Sequence, residues 1–135
     1  MLREASDKST EGLYHRFQSV LGFLFGTAEQ AVHEVVAAEA LLANQGAIQS
    51  SLFGLYAVLA RVTLAQQGSG VASGQLLEKA RADLAAIAKW AVDAPMNFLH
   101  HQRLAEAEIA AAEGRDGEAA SLYDEAISQI GRAHV

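Results

Sequence analysis

The chain has 135 residues, enough for one domain with a hydrophobic core, and 51% of them are hydrophobic. Alanine fills about a fifth of the positions and there is one proline, a composition that favours packed helices. A formal charge of −6 with scattered basic residues argues against nucleic-acid binding. The absence of cysteine excludes disulfides and thiolate chemistry and fits a cytoplasmic location.

The first eleven residues are polar and mixed in charge, without the apolar core of a secretion signal. We expect residues 1–11 to form a flexible leader, residues 12–131 a single helical domain, and residues 132–135 a tail. The most apolar stretch, 52–60, has nine residues, far fewer than the roughly 20 that span a bilayer. It therefore predicts a helix that is buried on most sides, and no membrane partner.

Apolar residues from Leu13 to Phe25 recur every three or four positions and predict a first helix over 12–25. Gly26 ends it, and Thr27 is a good N-cap for a second helix that reaches about residue 43. Asn44, Gln45 and Gly46 then break the chain, so that a third helix covers roughly 47–66.

Three glycines within 68–74 predict a flexible loop over 67–74, followed by a fourth helix over about 74–92. Asp93 is suited to cap a fifth helix that has Pro95 in its first turn and runs to residue 113. A tight turn at 114–117 leads into a sixth helix, which ends near Gly131. Six helices make three antiparallel hairpins.

The same skeleton of five positions occurs twice, 88 residues apart. It consists of a small residue, a turn glycine, and then a small, a large and a second small residue. Small residues let two helices cross closely, the large residue fills the gap to the next helix, and the glycine permits a positive φ. We expect an all-α, tetratricopeptide-like right-handed array, whose middle hairpin, anchored at Ala80, is expanded by the glycine loop. The paired positions are Ser19, Gly26, Ala31, Val35 and Ala38 with Ala107, Gly114, Ala119, Tyr123 and Ala126.

Residues 114–127, from Gly114-Arg115-Asp116-Gly117 to Ala126-Ile127, resemble the second half of a tetratricopeptide repeat. Together with 94–101, 23–31 and the helix of Trp90, they are similar to the helical repeat region of very large bacterial multi-sensor kinases. Those proteins join a kinase-like domain, an ATPase, helical repeats, a GAF domain and a histidine kinase. The present chain contains none of the kinase, nucleotide-binding or phosphoacceptor motifs. The resemblance therefore implies an interaction scaffold for signalling, without catalysis.

The histidines give weak signals for a metal. His100 and His101 are helix neighbours that point about 100° apart, and no ligand-type residue follows either of them by three or four positions. His33 follows Glu29 by one turn, which favours a surface ion pair over half of a metal site. We predict no metal and no cofactor.

Catalytic motifs are equally weak. Ser69 and Ser73 lie in no nucleophile motif, and the glycine loop around them lacks the Walker spacing and a preceding strand. We predict no catalytic residue. Acidic residues dominate the C-terminal third, which predicts a solvated face or a surface that steers a basic peptide. Trp90, Phe98 and Tyr123 are predicted to pack between hairpins.

A helical array binds on its concave side, which the first helix of each hairpin lines. The open ends of a three-hairpin array predict a two-fold homodimer or a docking surface for another protein or peptide. Two alternatives stay open: a small-molecule-binding helical domain with a closed apolar pocket, and a helical enzyme with groups converging from several helices. The candidate partner-binding residues are Tyr14, Gln18, Tyr56, Gln102 and Arg103.

Overall fold

The computed structural model describes residues 2–42 and 51–133, which fold into α-helices joined by short turns. No strand occurs in these two ranges, so the predicted all-α class and its six helices are confirmed. The predicted break at residues 44–46, the start of the third predicted helix at 47–50, and His134 lie outside the described residues. The helices are α1 (Leu2–Phe25), α2 (Ala28–Leu42), α3 (Ser51–Gln67), α4 (Gly70–Asp93), α5 (Pro95–Ala112) and α6 (Asp116–Ala133).

Two boundaries differ from the prediction at the ends of the domain. Helix α1 begins at Leu2, so residues 2–11 form its first turns and not a leader outside the helices. No glycine or proline interrupts this polar stretch, and polar character alone does not stop a helix. Helix α6 likewise continues through Gly131 to Ala133, into the predicted tail.

The turn between α1 and α2 is closed by a capping box. The backbone N–H of Gln30 donates to Thr27 Oγ1 at 3.1 Å, and the N–H of Thr27 donates to Gln30 Oε1 at 3.3 Å. The predicted N-cap at Thr27 is thus confirmed. Gly26, however, does not have a positive φ, so its expected conformational role is wrong. A Cβ there would lie only 2.5 Å from Gln30 Oε1, so Gly26 instead makes room for the cap.

The predicted glycine loop is wrong in extent, because α4 already begins at Gly70 and only Gly68 and Ser69 separate it from α3. Gly70 has a φ of +77°, and the Ser73 hydroxyl donates to the Ala65 carbonyl at 2.9 Å. These two features allow an abrupt turn and hold α4 against the end of α3. The residues assigned to a loop therefore lengthen α4, and the middle hairpin gains no flexible insertion from them.

The remaining turns use backbone hydrogen bonds. Asp93 is the last residue of α4 and not the cap of α5; Ala94 takes that place, followed by Pro95 at the first helical position as predicted. At the end of α5, Gly114 has a φ of +80° and its N–H donates to Ala111 O at 3.1 Å. The N–H of Arg115 donates to Ala110 O at 2.9 Å, which completes a Schellman motif.

Helices contact only neighbours one or two places along the chain within the described ranges. The most extensive contacts pair α1 with α2, α3 with α4, and α5 with α6. Helix α3 also contacts α1, α2 and α5, and α4 contacts α5. Helices α1 and α6, the two ends, do not meet there, so three hairpins stand in a row and do not close into one bundle. The right-handed sense of the row stays a prediction.

The central hairpin supplies five of the seven residues that form the core cluster, and α3 is the most buried helix, as its apolar sequence predicts. The small residues of the repeated skeleton are buried in both terminal hairpins, where they let paired helices approach. A Cβ on Gly22 of α1 would lie 3.4 Å from the Cα of Ala31 of α2, which shows how close that pair is. The core cluster consists of Leu55, Val58, Val62, Ala80, Ile87, Ala105 and Ile109.

Candidate partner-binding surface

The odd-numbered helices form a closer row than the even-numbered ones. Helix α3 contacts both α1 and α5, whereas α2, α4 and α6 make no contacts with one another in the described residues. A row whose members touch on one side and separate on the other is curved toward the touching side. We refer to the side formed by α1, α3 and α5 as the inner face; all five candidate residues belong to these helices.

Tyr14 and Gln18 occupy α1, one turn apart. Tyr14 is 57% exposed, and its ring meets the edge of the His15 ring with centroids 5.4 Å apart. His15 in turn bonds to Glu34 of α2. The ring that Tyr14 contacts is therefore fixed to the second helix of the hairpin.

Gln18 borders an open groove of about 620 Å³ between α1 and α2, beside their close contact at Gly22. The groove mixes apolar side chains with carboxylates and amides, and it opens to solvent. It thus differs from the closed apolar pocket expected of a small-molecule-binding domain. Its other lining residues are Leu21, Gly22, Phe25, Gly26, Glu29, Gln30, His33 and Glu34.

Tyr56 belongs to an aromatic seam between α1 and α3. Its ring meets Phe23 of α1 edge-on, with centroids 5.7 Å apart, and Phe17 meets Phe53 in the same manner at 5.4 Å. The guanidinium of Arg16 lies over the Phe53 ring, 5.5 Å from its centroid. Tyr56 is half-buried, so it contributes to joining the hairpins as well as to the inner face.

Gln102 and Arg103 share a carboxylate on α5. Gln102 Nε2 donates to Glu106 Oε1 at 2.8 Å, and Arg103 donates to both oxygens of Glu106 at 3.1 Å. Arg103 also reaches Glu125 of α6, with Nε 2.9 Å from Oε2. This pair therefore lies at the opposite end of the row from Tyr14 and Gln18, with α3 between them.

The sequence reasoning missed a buried ion pair at the centre of the molecule. Arg61 of α3 is only 2% exposed; it donates to both oxygens of Glu39 on α2, at 2.8 and 3.0 Å, and to Asp83 on α4. Burial alone would lower the pKa of Arg61, but Asp83 and Glu39 outweigh it and raise that pKa. Burial raises the pKa of Asp83. A charged residue inside an apolar helix was the available signal, since such a charge needs partners.

Four acidic residues of the C-terminal third form ion pairs with this chain's own arginines. Glu113 bonds to Arg115 and to Arg81 of α4, and these contacts, the Arg115 hydrogen bond first, lower the pKa of Glu113. Arg115 also pairs with Glu118. This part of the surface therefore offers less uncompensated negative charge than its composition suggests.

Tyr123 lies within the third hairpin and not between hairpins. Its hydroxyl donates to Glu108 of α5 at 2.7 Å, and burial together with this contact raises the pKa of Tyr123 to about 12. Trp90 and Phe98, in contrast, join the second hairpin to the third as predicted, with ring centroids 6.1 Å apart.

The two rings of the histidine pair meet edge to face. The rings of His100 and His101 have centroids 4.2 Å apart, and burial, with the charge of His100 second, lowers the pKa of His101 to about 4. Across residues 2–42 and 51–133 no group of three or more metal-ligating side chains comes together. Within the same ranges no helix has the length and apolarity needed to cross a membrane.

Comparison of the sequence with protein-family models and curated proteins, and of the chain with solved structures, finds no match.

Proposed function

We propose that the protein is a non-catalytic protein–protein interaction scaffold of the tetratricopeptide-like type, acting in the cytoplasm in bacterial signalling or regulation. The observation that carries this proposal is the open row of hairpins, with α3 in contact with both α1 and α5 along one side. A curved row of this kind offers an extended surface to a protein segment.

The side chains of the inner face suit a protein partner better than a reaction. Tyr14 and Tyr56 offer large aromatic surfaces with a polar tip, and aromatic residues are enriched at protein interfaces. Gln102 and Arg103 add hydrogen-bond donors at the other end. A segment that crosses from α1 to α5 would meet apolar contacts first and polar contacts last.

Site-specific photo-crosslinking, in the cells that naturally express this protein, tests this role. A photoreactive amino acid replaces Tyr56 in one variant and Gln102 in a second, and we expect both to give an adduct with the same other protein. The matched control is Lys89 of α4, an exposed position on an even-numbered helix. We expect no such adduct from Lys89.

Two outcomes would contradict the scaffold role. One is the absence of any adduct from both inner-face positions, and the other is an identical set of adducts from Lys89. An adduct with twice the 14.3 kDa mass of the chain indicates that two copies of the chain associate. It does not count as an adduct with another protein.

Small-molecule binding in the groove between α1 and α2 is the second candidate, favoured by a volume of about 620 Å³. Ligand sites commonly have roughly 300–1,000 Å³. Gln18 and Gln30 are the neutral polar groups that would orient a ligand there. A metabolite that raises the melting temperature of the chain, but not of the Gln18→Ala variant, would support this alternative.

A further inference from the structure

Helix α1 carries an apolar stripe that the described chain covers only in part. The stripe consists of Tyr14, Phe17, Leu21, Leu24 and Phe25, which are 57%, 60%, 48%, 52% and 84% exposed. Its first four members follow one another at intervals of three, four and three residues, the spacing of a seam between two helices.

The stripe lies outside the tight contact between α1 and α2, although Leu21 and Phe25 also line the open groove between these two helices. His15 bonds to Glu34 and Gly22 packs against the backbone of Ala31, so these positions define the side that faces α2. Leu21 and Leu24 lie well around the helix from these positions. Phe17 touches Phe53 at its edge and still exposes more than half of its surface.

The charge pattern favours another copy of the same stripe as the occupant. Between residues 14 and 25 the only Asp, Glu, Lys or Arg is Arg16, whose guanidinium lies over Phe53 on α3. Two such stripes can meet along α1 without bringing α1 charges of like sign together, whereas Glu29 and Glu34 of α2 border the stripe across the groove.

The exposed area is sufficient for a specific pair. At roughly 200 Å² for a fully exposed large side chain, the five exposed fractions correspond to roughly 600 Å² per copy. Two copies would then bury about 1,200 Å² in total, the lower end of the range for stable specific interfaces. Leu13, which is 40% exposed, would add to it.

We propose that two copies of this chain associate about a two-fold axis through the α1 stripe, with Phe17 and Leu21 of each copy at the centre. The pairing covers the α1 stripe, Tyr14 included, so a partner segment would compete with it there, and it leaves the inner faces of α3 and α5 accessible. It does not depend on the scaffold role, because a dimer can form whether or not another protein binds.

Sedimentation equilibrium of the full chain tests the pairing. We expect a concentration-dependent dimer for the unmodified chain, and a dissociation constant at least about a hundredfold higher for Leu21→Glu, which places two like charges at the centre. The matched control is Val92→Glu, which changes an 81% exposed apolar residue at the end of α4. We expect the control to dimerise like the unmodified chain.

A second variant protects the test against misfolding. If Leu21→Glu loses its helical circular dichroism, Phe25→Ser takes its place, because an 84% exposed side chain contributes little to folding of the monomer. We expect Phe25→Ser to weaken the dimer about tenfold. A strict monomer at millimolar concentration, an unaltered dimer in either stripe variant, or equal weakening by Val92→Glu would overturn the proposal.

Discussion

Arg61 shows how a single residue can fix three helices. Its guanidinium connects α3 to Glu39 of α2 and Asp83 of α4, so it spans the boundary between the first and second hairpins. A buried pair of this kind adds little net stability compared with apolar residues, yet it strongly disfavours arrangements in which the charge loses its partners. Arg61 thereby favours one register between the two hairpins.

Removing one partner of Arg61 should lower the free energy of unfolding more than replacing both members of the ion pair. We expect Asp83→Ala to lower the free energy of unfolding by about 3 kcal/mol, because a buried charge loses a partner. The double variant Arg61→Leu with Asp83→Leu should lower it by less than about 1 kcal/mol. Urea unfolding followed by circular dichroism measures both.

The control for these variants is Arg81→Ala, which removes an ion pair at the surface. Its pair with Glu113 is half-exposed, so the expected change is below about 1 kcal/mol. Equal losses for Asp83→Ala and Arg81→Ala would contradict the assigned role of Arg61.

His101 gives the fold a specific acid sensitivity. Its pKa is about 4 in the folded chain and near 6.5 when unfolded, because burial and His100 disfavour its charged form. The unfolded chain therefore takes up the proton first. The contribution of neutral His101 to the free energy of unfolding is fully present above pH 6.5. It is lost as the pH drops toward 4, by roughly 1–2 kcal/mol after allowance for partial exposure.

The His101→Gln variant should lose this part of the acid dependence. Unfolding experiments between pH 7 and pH 4 measure the slope for both chains, and we expect a shallower slope in the variant. The comparison variant is His33→Gln, which removes an exposed histidine of α2. A slope unchanged by His101→Gln would contradict the pKa of about 4.

At the scale of the element, the sequence identified the helices better than their ends. Periodicity depends on many residues, so each helix was recognisable, whereas an end depends on one or two hydrogen bonds. Thr27 and Pro95 were recognisable because each has its own local chemistry. The start of α4 at Gly70 was not, because it depends on the contact between Ser73 and Ala65 across the turn.

Two glycines should respond in opposite ways to the same substitution. Gly114 has a φ of +80° with open space around it, so Gly114→Ala should lower stability by about 1 kcal/mol through backbone strain alone. Gly131 also has open space but lies inside α6 without a positive φ, so Gly131→Ala should raise stability by about 0.5–1 kcal/mol. Thermal unfolding measures both, and equal signs would contradict the assigned turn.

At the scale of the whole molecule, the repeated skeleton predicted hairpins, and its small positions are indeed buried in the first and third of them. The candidate surface residues were harder to judge from sequence. Exposure and pairing depend on which helices become neighbours, and Arg103 illustrates this by bonding to Glu125 of the next helix. The identity of a partner depends on chemistry that lies in the partner and not in this chain.

The open row of hairpins is the claim on which the functional account depends, and a distance between α2 and α6 tests it directly. Because the chain has no cysteine, spin labels can be attached to Val36→Cys and Ile127→Cys, two exposed positions, and diluted with unlabelled chain. Packed neighbouring helices lie about 8–10 Å apart, and the second hairpin separates these two. We expect a distance centred beyond about 25 Å by electron paramagnetic resonance, whereas one centred near 10–15 Å would mean a closed bundle and contradict the account.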